Sequence, residues 1–202
     1  MKKDDLETDG GIEPPSITFR PLTPGDWDDF ERLFGPRGAC AGCWCMYFMQ
    51  TSKEFNDGKG EQNRLEMRRL VESGTESGLI AYSNGEPVGW CAVGPRDRYT
   101  RIVKSRVTKP VDEEDGVWSI ACFFVARKHR RMGLSTALLN AAAEYAFSKG
   151  ARIVEGYPVD PAKPDSPDIF AYTGLASAFK KAGFVEAARR SPTRPIMRKL
   201  KP

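Results

Sequence analysis

The chain has 202 residues, 40% hydrophobic and 29% charged, with a formal net charge of +4. That length suits one domain with core enough to fold alone. The mild positive balance admits an anionic ligand but lacks the excess of a dedicated nucleic-acid binder. Five cysteines is an odd number in a chain this long, so reduced thiols in a cytoplasmic protein are expected, not a disulfide framework. The start MKKDDLETDGG carries acidic residues and no apolar stretch, unlike a signal peptide. IACFFVA is far shorter than a membrane span, so neither membrane nor nucleic acid is expected as a partner.

Residues 1–15, polar with Gly10, Gly11, Pro14 and Pro15, are expected to form a disordered tail, and 16–202 a single domain. SITFRPLT alternates as a strand does, and PGDWDDFERLF follows with proline and acidic residues where a helix begins. The stretch from Gly35 to Gly60 has no clear period. EQNRLEMRRLVESG is expected to be helical, ending at Gly74. GLIAYSNGEPVGWCAVG holds two strands around NGE, a hairpin signal. PRDRYTRIVKSRVTKPVDEEDG is expected as a long polar connection. VWSIACFFVA is almost continuously apolar, as in a strand covered on both faces. A helix from about Leu134 to Lys149 ends before Gly150, a suitable C′ glycine. ARIVEGYPV is the next strand and DPAKPDSPD a proline-rich loop. GLASAFKKAG is expected to be helical, with FVEAARR and PIMRKL as closing strands.

From Val117 to Tyr157 the order is strand, charged turn, helix, strand. That order implies a parallel pair joined by a right-handed crossover. With the hairpin strands before it, the sheet is mixed and the class α/β, or α+β in looser usage. The turn itself reads VARKHRRMGLSTALL, and Arg127 to Arg131 hold four Lys/Arg and the single histidine. A cationic cluster at a helix start opposes the helix dipole, and a bound anion relieves the conflict. The first helical N–H groups lack intrahelical partners, Gly133 lets backbone approach a ligand, and Ser135 and Thr136 add donors. These groups suit a phosphate, with charge-assisted bonds from Arg130 and Arg131. The same residues also suit a solvated basic helix start. Neither the P-loop pattern nor the three-glycine dinucleotide fingerprint is present.

The stretch VARKHRRMGLSTALL resembles motif A of the GNAT acetyltransferase superfamily, with Arg130, Gly133 and Ser135 at its Arg, Gly and second small-residue positions. FKKAGF, Phe179 to Phe184, is similar to the family's later helix ending in Gly-Phe, and SITFRPLTPGDWDDF to its opening strand and helix. The resemblance spans 16–202. It implies a mixed central sheet flanked by helices, with splayed parallel strands forming an acyl-CoA cleft. It also implies acetyl-CoA, or another acyl-CoA, as donor and an amine as acceptor. On this basis Arg130, Arg131, Met132, Gly133, Leu134, Ser135 and Thr136 hold the pyrophosphate. Phe123, Phe124 and Val125 offer open backbone to the pantetheine arm. Phe179, expected among the cofactor-binding residues, stands where relatives often carry a tyrosine that protonates the leaving thiolate.

An amine of pKa about 10.4 is neutral in only about one part in 2,500 at pH 7, so a general base helps. Glu155 is the best carboxylate for that role. It shares a face with Tyr157, a candidate substrate contact, by the strand period of two. Tyr172, upstream of Phe179, is the substitute acid, although unassisted departure of a thiolate from a thiol of pKa about 8.5 costs only about 2 kcal/mol at pH 7. The acidic run Asp112–Asp115 suits a solvated loop or attraction of a cationic acceptor.

CAGCWCMYF holds Cys40, Cys43 and Cys45 without a second Cys-x-x-Cys, so no metal site is expected. In the family this segment commonly lines the acceptor pocket. That assigns Cys43, Trp44 and Cys45, with the aromatics that follow, to its wall; plain core packing fits them as well. The leading expectation is an N-acetyltransferase acting on a small molecule or exposed peptide amine. The runner-up is a non-catalytic acyl-CoA-binding sensor, and a homodimer is left open.

Overall fold

The computed structural model describes residues 16–161 and 172–202. The expected tail over 1–15, and positions 162–168 of the proline-rich loop, lie outside the described residues.

Strand β1 (Ile17–Pro21) runs into a tight turn at Pro24–Asp26, where Thr23 Oγ1 donates to Asp26 (2.5 Å). Helix α1 (Trp27–Phe34) follows and buries Trp27, Phe30, Leu33 and Phe34 on one stripe. The segment 35–60, expected to be irregular throughout, contains a short helix α2 (Ser52–Asp57). Its start is a capping box: Thr51 Oγ1 accepts the Glu54 N–H (3.3 Å), and the Glu54 carboxylate accepts the Thr51 N–H (2.8 Å). Helix α3 (Glu61–Glu72) leads to strands β2 (Gly78–Ser83) and β3 (Glu86–Pro95). Asn84 and Gly85 between them both have positive φ, 49° and 84°, as a two-residue type I′ hairpin requires. The connection expected to be polar holds helix α4 (Thr100–Lys104) and anchors itself through Tyr99 and Ile102, both wholly buried. Then come β4 (Val117–Val125), α5 (Leu134–Ser148), β5 (Ile153–Gly156), α6 (Ala176–Lys181), β6 (Val185–Arg189) and β7 (Pro195–Leu200).

The strands form one seven-stranded sheet in the order β1-β2-β3-β4-β5-β7-β6. The β4–β5 pair is parallel and the others antiparallel, so the expected mixed sheet is found. Helices α5 and α6 cover one face, where Leu138, Leu139, Ala142 and Ala146 of α5 are buried. On the other face α1, α3 and the 39–49 segment pack around Trp90.

One irregularity positions the site. Ala92 of β3 faces Cys122 and Val93 faces Ile120, so Ala121 is an extra residue in β4. The bulge shifts the alternation by one: Trp118 and Ile120 pack toward α5 before it, Phe123 after it. Pairing with β5 stops at Ile120–Gly156. The strand therefore bends where its parallel partner ends.

Candidate active site

Beyond that point the edge of β4 faces a gap. Ala126 N–H bonds Val88 on the β3 side, so by alternation Phe123 and Val125 turn their backbone groups toward the gap. Phe123 N–H donates to the Tyr172 carbonyl (2.6 Å), and the Val125 carbonyl accepts from Arg130 Nε (3.0 Å). Across the gap Val159 N–H donates to Gly174 (2.9 Å) and Ala176 N–H to Val159 (2.8 Å). Tyr172–Ala176 thus touches both strands. The expected open backbone at Phe123 is corrected by this contact, whereas Val125 keeps its N–H on the gap edge. Phe124 alternates away and packs against Phe34 (ring centroids 5.6 Å apart) on the α1 face, so it is not on the edge assigned to it.

The charged turn lies at the end of β4. Arg127–His129 form one tight turn, Arg131 takes φ 63°, and Gly133 takes φ 81° as N-cap of α5. The carbonyl of Gly133 accepts the N–H groups of Thr136 (3.0 Å) and Ala137 (3.2 Å), which leaves those of Gly133, Leu134 and Ser135 directed outward as a helix start requires. A Cβ placed on Gly133 would meet nothing within 4 Å, so the space over these amides is open. Arg130, Arg131 and Met132 are exposed, and Ser135 and Thr136 half-buried. Leu134 turns its side chain into the core and can contribute only its N–H.

The expected catalytic side chains fall elsewhere. Glu155 is wholly buried. It accepts from the Tyr157 hydroxyl (2.6 Å) and from Arg198 Nε (2.7 Å), its register partner on β7. Arg198 also binds Asp112 through Nη1 (2.5 Å) and Nη2 (2.9 Å). Its hydrogen bonds hold the Asp112 carboxyl below its usual range. Glu155 as general base is therefore corrected: it is the centre of a buried ion-pair network, out of reach of an acceptor. Tyr157 is buried with it, its phenol pushed up by burial and then by the Glu155 charge, so it does not line an open pocket. Asp112 joins the same network from the exposed run Asp112–Asp115.

Phe179 is fully buried and packs edge-on against Phe123 (6.1 Å) and Phe184 (5.0 Å). A Cβ on Gly156 would sit 2.2 Å from its ring, so Gly156 leaves the room that the ring fills. Tyr172 is half-buried, with its ring near Tyr47 (6.0 Å), Phe48 (6.1 Å) and the Arg194 guanidinium (5.9 Å). Burial raises its phenol pKa, which keeps it protonated at neutral pH. Arg194 was missed in the sequence because it lies in a connection whose neighbours only the fold supplies. Trp44 stacks on Phe34 (5.6 Å, 14°), and Cys45 accepts from Trp90 Nε1 (2.9 Å). Both are core residues, whereas Cys43, Tyr47 and Phe48 of the expected pocket wall are partly exposed. No group of metal-ligating side chains occurs among the described residues. None of their helices is long and apolar enough to cross a membrane.

These features define a class: an α/β domain whose bulged, splayed parallel strands meet a basic, glycine-capped helix start with open space above it. The sequence model of the acetyltransferase (GNAT) family matches residues 42–163. The chain belongs to that family. Its fold is similar to AAC(6')-Ib in complex with ribostamycin and coenzyme A, at 18% identity and a TM-score of 0.55 over 92% of this chain and 94% of that one. It is also similar to a GNAT acetyltransferase from Listeria monocytogenes, at 12% identity and a TM-score of 0.54 over 92% and 95%. The PaiA N-acetyltransferase from Thermoplasma acidophilum in complex with coenzyme A gives 14% and 0.52 over 92% and 99%. No curated protein sequence matches the chain.

Proposed function

We propose that the protein is an acyl-CoA-dependent N-acetyltransferase that moves an acetyl group from acetyl-CoA to an amine of a small molecule or exposed peptide. The observation that carries this is the open helix start at Gly133 beside the edge of β4 that β5 leaves beyond Ile120. Coenzyme A in structures of similar fold supports the donor, and ribostamycin in one of them supports an amine acceptor. The amides of Gly133, Leu134 and Ser135, with Arg130 and Arg131, hold the pyrophosphate. Pantetheine pairs along the β4 edge, displacing the Tyr172 carbonyl from Phe123. The Val125 N–H then serves a developing oxyanion. With Glu155 buried, the acceptor enters as its neutral fraction or is deprotonated through water. Thiolate departs without a dedicated acid, because Phe179 has no proton to give.

A sensor that binds acyl-CoA without turnover is the second reading, favoured by Phe179 and by the Tyr172 carbonyl on Phe123 N–H. Incubation with acetyl-CoA and a panel of amines, with detection of released thiol, separates the two. Release matched by acetylated amine supports the enzyme. Saturable CoA binding without release from any amine supports the sensor.

A further inference from the structure

The scheme above gives the cations of the charged turn a ligand, and a second group of cations has none. Elsewhere arginines are met by carboxylates: Arg20 by Asp26, Arg64 by Glu31, Arg189 by Asp160 and Arg198 by Asp112. Arg101 and Lys104 of α4, Arg106 and Lys109 after it, and Arg190 and Arg194 between β6 and β7 pair with no carboxylate among the described residues. The connections that carry them meet on the face of the sheet opposite α5. Thr100 Oγ1 donates to the Met49 carbonyl (3.1 Å), and Arg101 donates to the carbonyls of Gln50 (2.7 Å) and Thr51 (2.9 Å). Arg190 donates to the carbonyls of Lys109 (2.5 Å) and Pro110 (3.0 Å). Beneath them Ile102 is buried with Ala121 of β4, Tyr157 and Ile196, where β4 and β5 part. These connections therefore border the gap on this face.

Three half-buried rings stand there. Tyr47 lies 4.9 Å from Phe48 and 6.0 Å from Tyr172, and Phe48 lies 6.1 Å from Tyr172. The Arg101 guanidinium sits over Tyr47 (4.3 Å) and that of Arg194 beside Tyr172 (5.9 Å), so both belong to one aromatic cluster. Arg194 is fixed at the gap. Its Nη1 donates to Oγ1 of the buried Thr173 (2.8 Å). Thr173 follows Tyr172, whose carbonyl meets the Phe123 N–H (2.6 Å). The bond to Thr173 takes one of the five donors of a guanidinium. Asp160, whose N–H meets the Thr193 carbonyl (2.9 Å), is paired with Arg189 (2.8 Å). A held guanidinium fork beside aromatic faces suits a carboxylate or a phosphate. On the α5 side the gap is filled by Phe123 and Phe179, both buried and packed together. An acceptor therefore reaches a thioester in the gap from the opposite face, past these rings.

We propose that the acceptor is an amine that also carries an anionic group, a carboxylate or a phosphate, on an apolar body, and that Arg194 binds that group. Tyr47, Phe48 and Tyr172 cover the body. The exposed Lys104, Arg106 and Lys109 raise the local concentration of anions at the opening, and like charge turns a polycationic amine away. This rests on the acetyltransferase reading and names its acceptor. In the transfer the amine nitrogen bonds the thioester carbon and the C–S bond breaks. The nitrogen sheds one proton, and the coenzyme A thiolate takes up one as it becomes the thiol.

The test uses the full-length protein with acetyl-CoA and matched amines in which only the far group changes. One set is 4-(aminomethyl)benzoate, benzylamine and 1,4-bis(aminomethyl)benzene. A second is 4-aminobutyrate, butylamine and 1,4-diaminobutane. The pair 2-aminoethyl phosphate and ethylamine separates phosphate from carboxylate. Thiol release below saturation gives kcat/KM. The anionic member should exceed the neutral one by about tenfold, the scale of a hydrogen bond to a charged group, and the dication should be poorest. Higher ionic strength should shrink the margin. Arg194→Gln keeps a donor for Thr173 and should remove most of the margin; Arg194→Lys keeps the charge and should restore part of it. Neutral or dicationic amines equal to or ahead of the anionic ones in every set overturn the proposal, and so does a margin that survives Arg194→Gln. If no amine is acetylated, the acetyltransferase reading is what fails, and binding then reads the anion site. Coenzyme A-loaded protein is titrated in a calorimeter with the N-acetyl derivatives of 4-(aminomethyl)benzoate and benzylamine. Tighter binding of the carboxylate, lost in Arg194→Gln, supports Arg194 as the anion site; equal binding, or none, overturns it. Should either variant fail to fold, the wild-type comparisons decide.

Discussion

Replacement of Gly133 separates two effects that the geometry keeps apart. At φ 81° with nothing within 4 Å of an added Cβ, Gly133→Ala meets no steric clash. Its cost is left-handed backbone alone, about 1–2 kcal/mol. For a chain of this length that lowers Tm by about 2–8 °C. Gly133→Glu carries the same backbone cost and sets a carboxylate where a pyrophosphate would rest. Coenzyme A at 100 times its Kd should stabilise the wild type by about 2.7 kcal/mol, a rise of about 5–11 °C. The assay is thermal unfolding of wild type and both variants with and without coenzyme A. Both variants should lose similar stability alone, Gly133→Ala should keep part of the ligand shift, and Gly133→Glu should keep none. An undiminished shift in Gly133→Glu would refute the phosphate cradle.

Arg198→Leu leaves the buried Glu155 carboxylate with only the Tyr157 hydroxyl and the more distant Arg96 guanidinium (4.0 Å) and should cost about 3–5 kcal/mol, or about 6–20 °C in Tm; adding Glu155→Gln should recover part of it in the same melt. Because Arg198 holds the folded-state pKa of Asp112 below its usual value, that pair's contribution is complete above about pH 3.9 and fades as pH falls through the lower folded value. Asp112→Asn should therefore flatten the acid limb of stability against pH. Tyr172→Phe keeps the ring and removes the hydroxyl. With an accepted amine at pH 7.5 and chemistry rate-limiting, acyl transfer should fall less than tenfold, and a drop of a hundredfold or more would make Tyr172 the proton donor. Metal analysis of the purified protein should find no stoichiometric zinc or iron, and chelator should leave Tm unchanged.

The parts legible in the sequence were those set by neighbours along the chain. Asn84-Gly85 specifies a hairpin turn, Gly150 ends α5, and Gly133 caps its start, each within a few residues. The apolar run of β4 announced a strand covered on both faces. What escaped depends on contacts across the sheet. Period two placed Glu155 and Tyr157 on one face but could not say that Arg198 waits opposite. Phe179 was locatable by its motif, yet only Gly156 and Gly174 explain why its ring is buried there. The left-handed backbone of Trp44 and Cys45 is a tertiary product, since neither residue prefers it. The Thr51/Glu54 capping box was present and overlooked beneath the irregular composition of 35–60.

A crystal structure of the complex with coenzyme A tests the central claim most directly. The account predicts pyrophosphate oxygens within about 2.7–3.2 Å of the N–H groups of Gly133, Leu134 and Ser135. It predicts pantetheine along the Val125 edge of β4 and the Tyr172 carbonyl withdrawn from Phe123. Coenzyme A bound away from this turn would contradict it. So would coenzyme A at the turn with pantetheine outside the gap and the Tyr172–Phe123 bond intact.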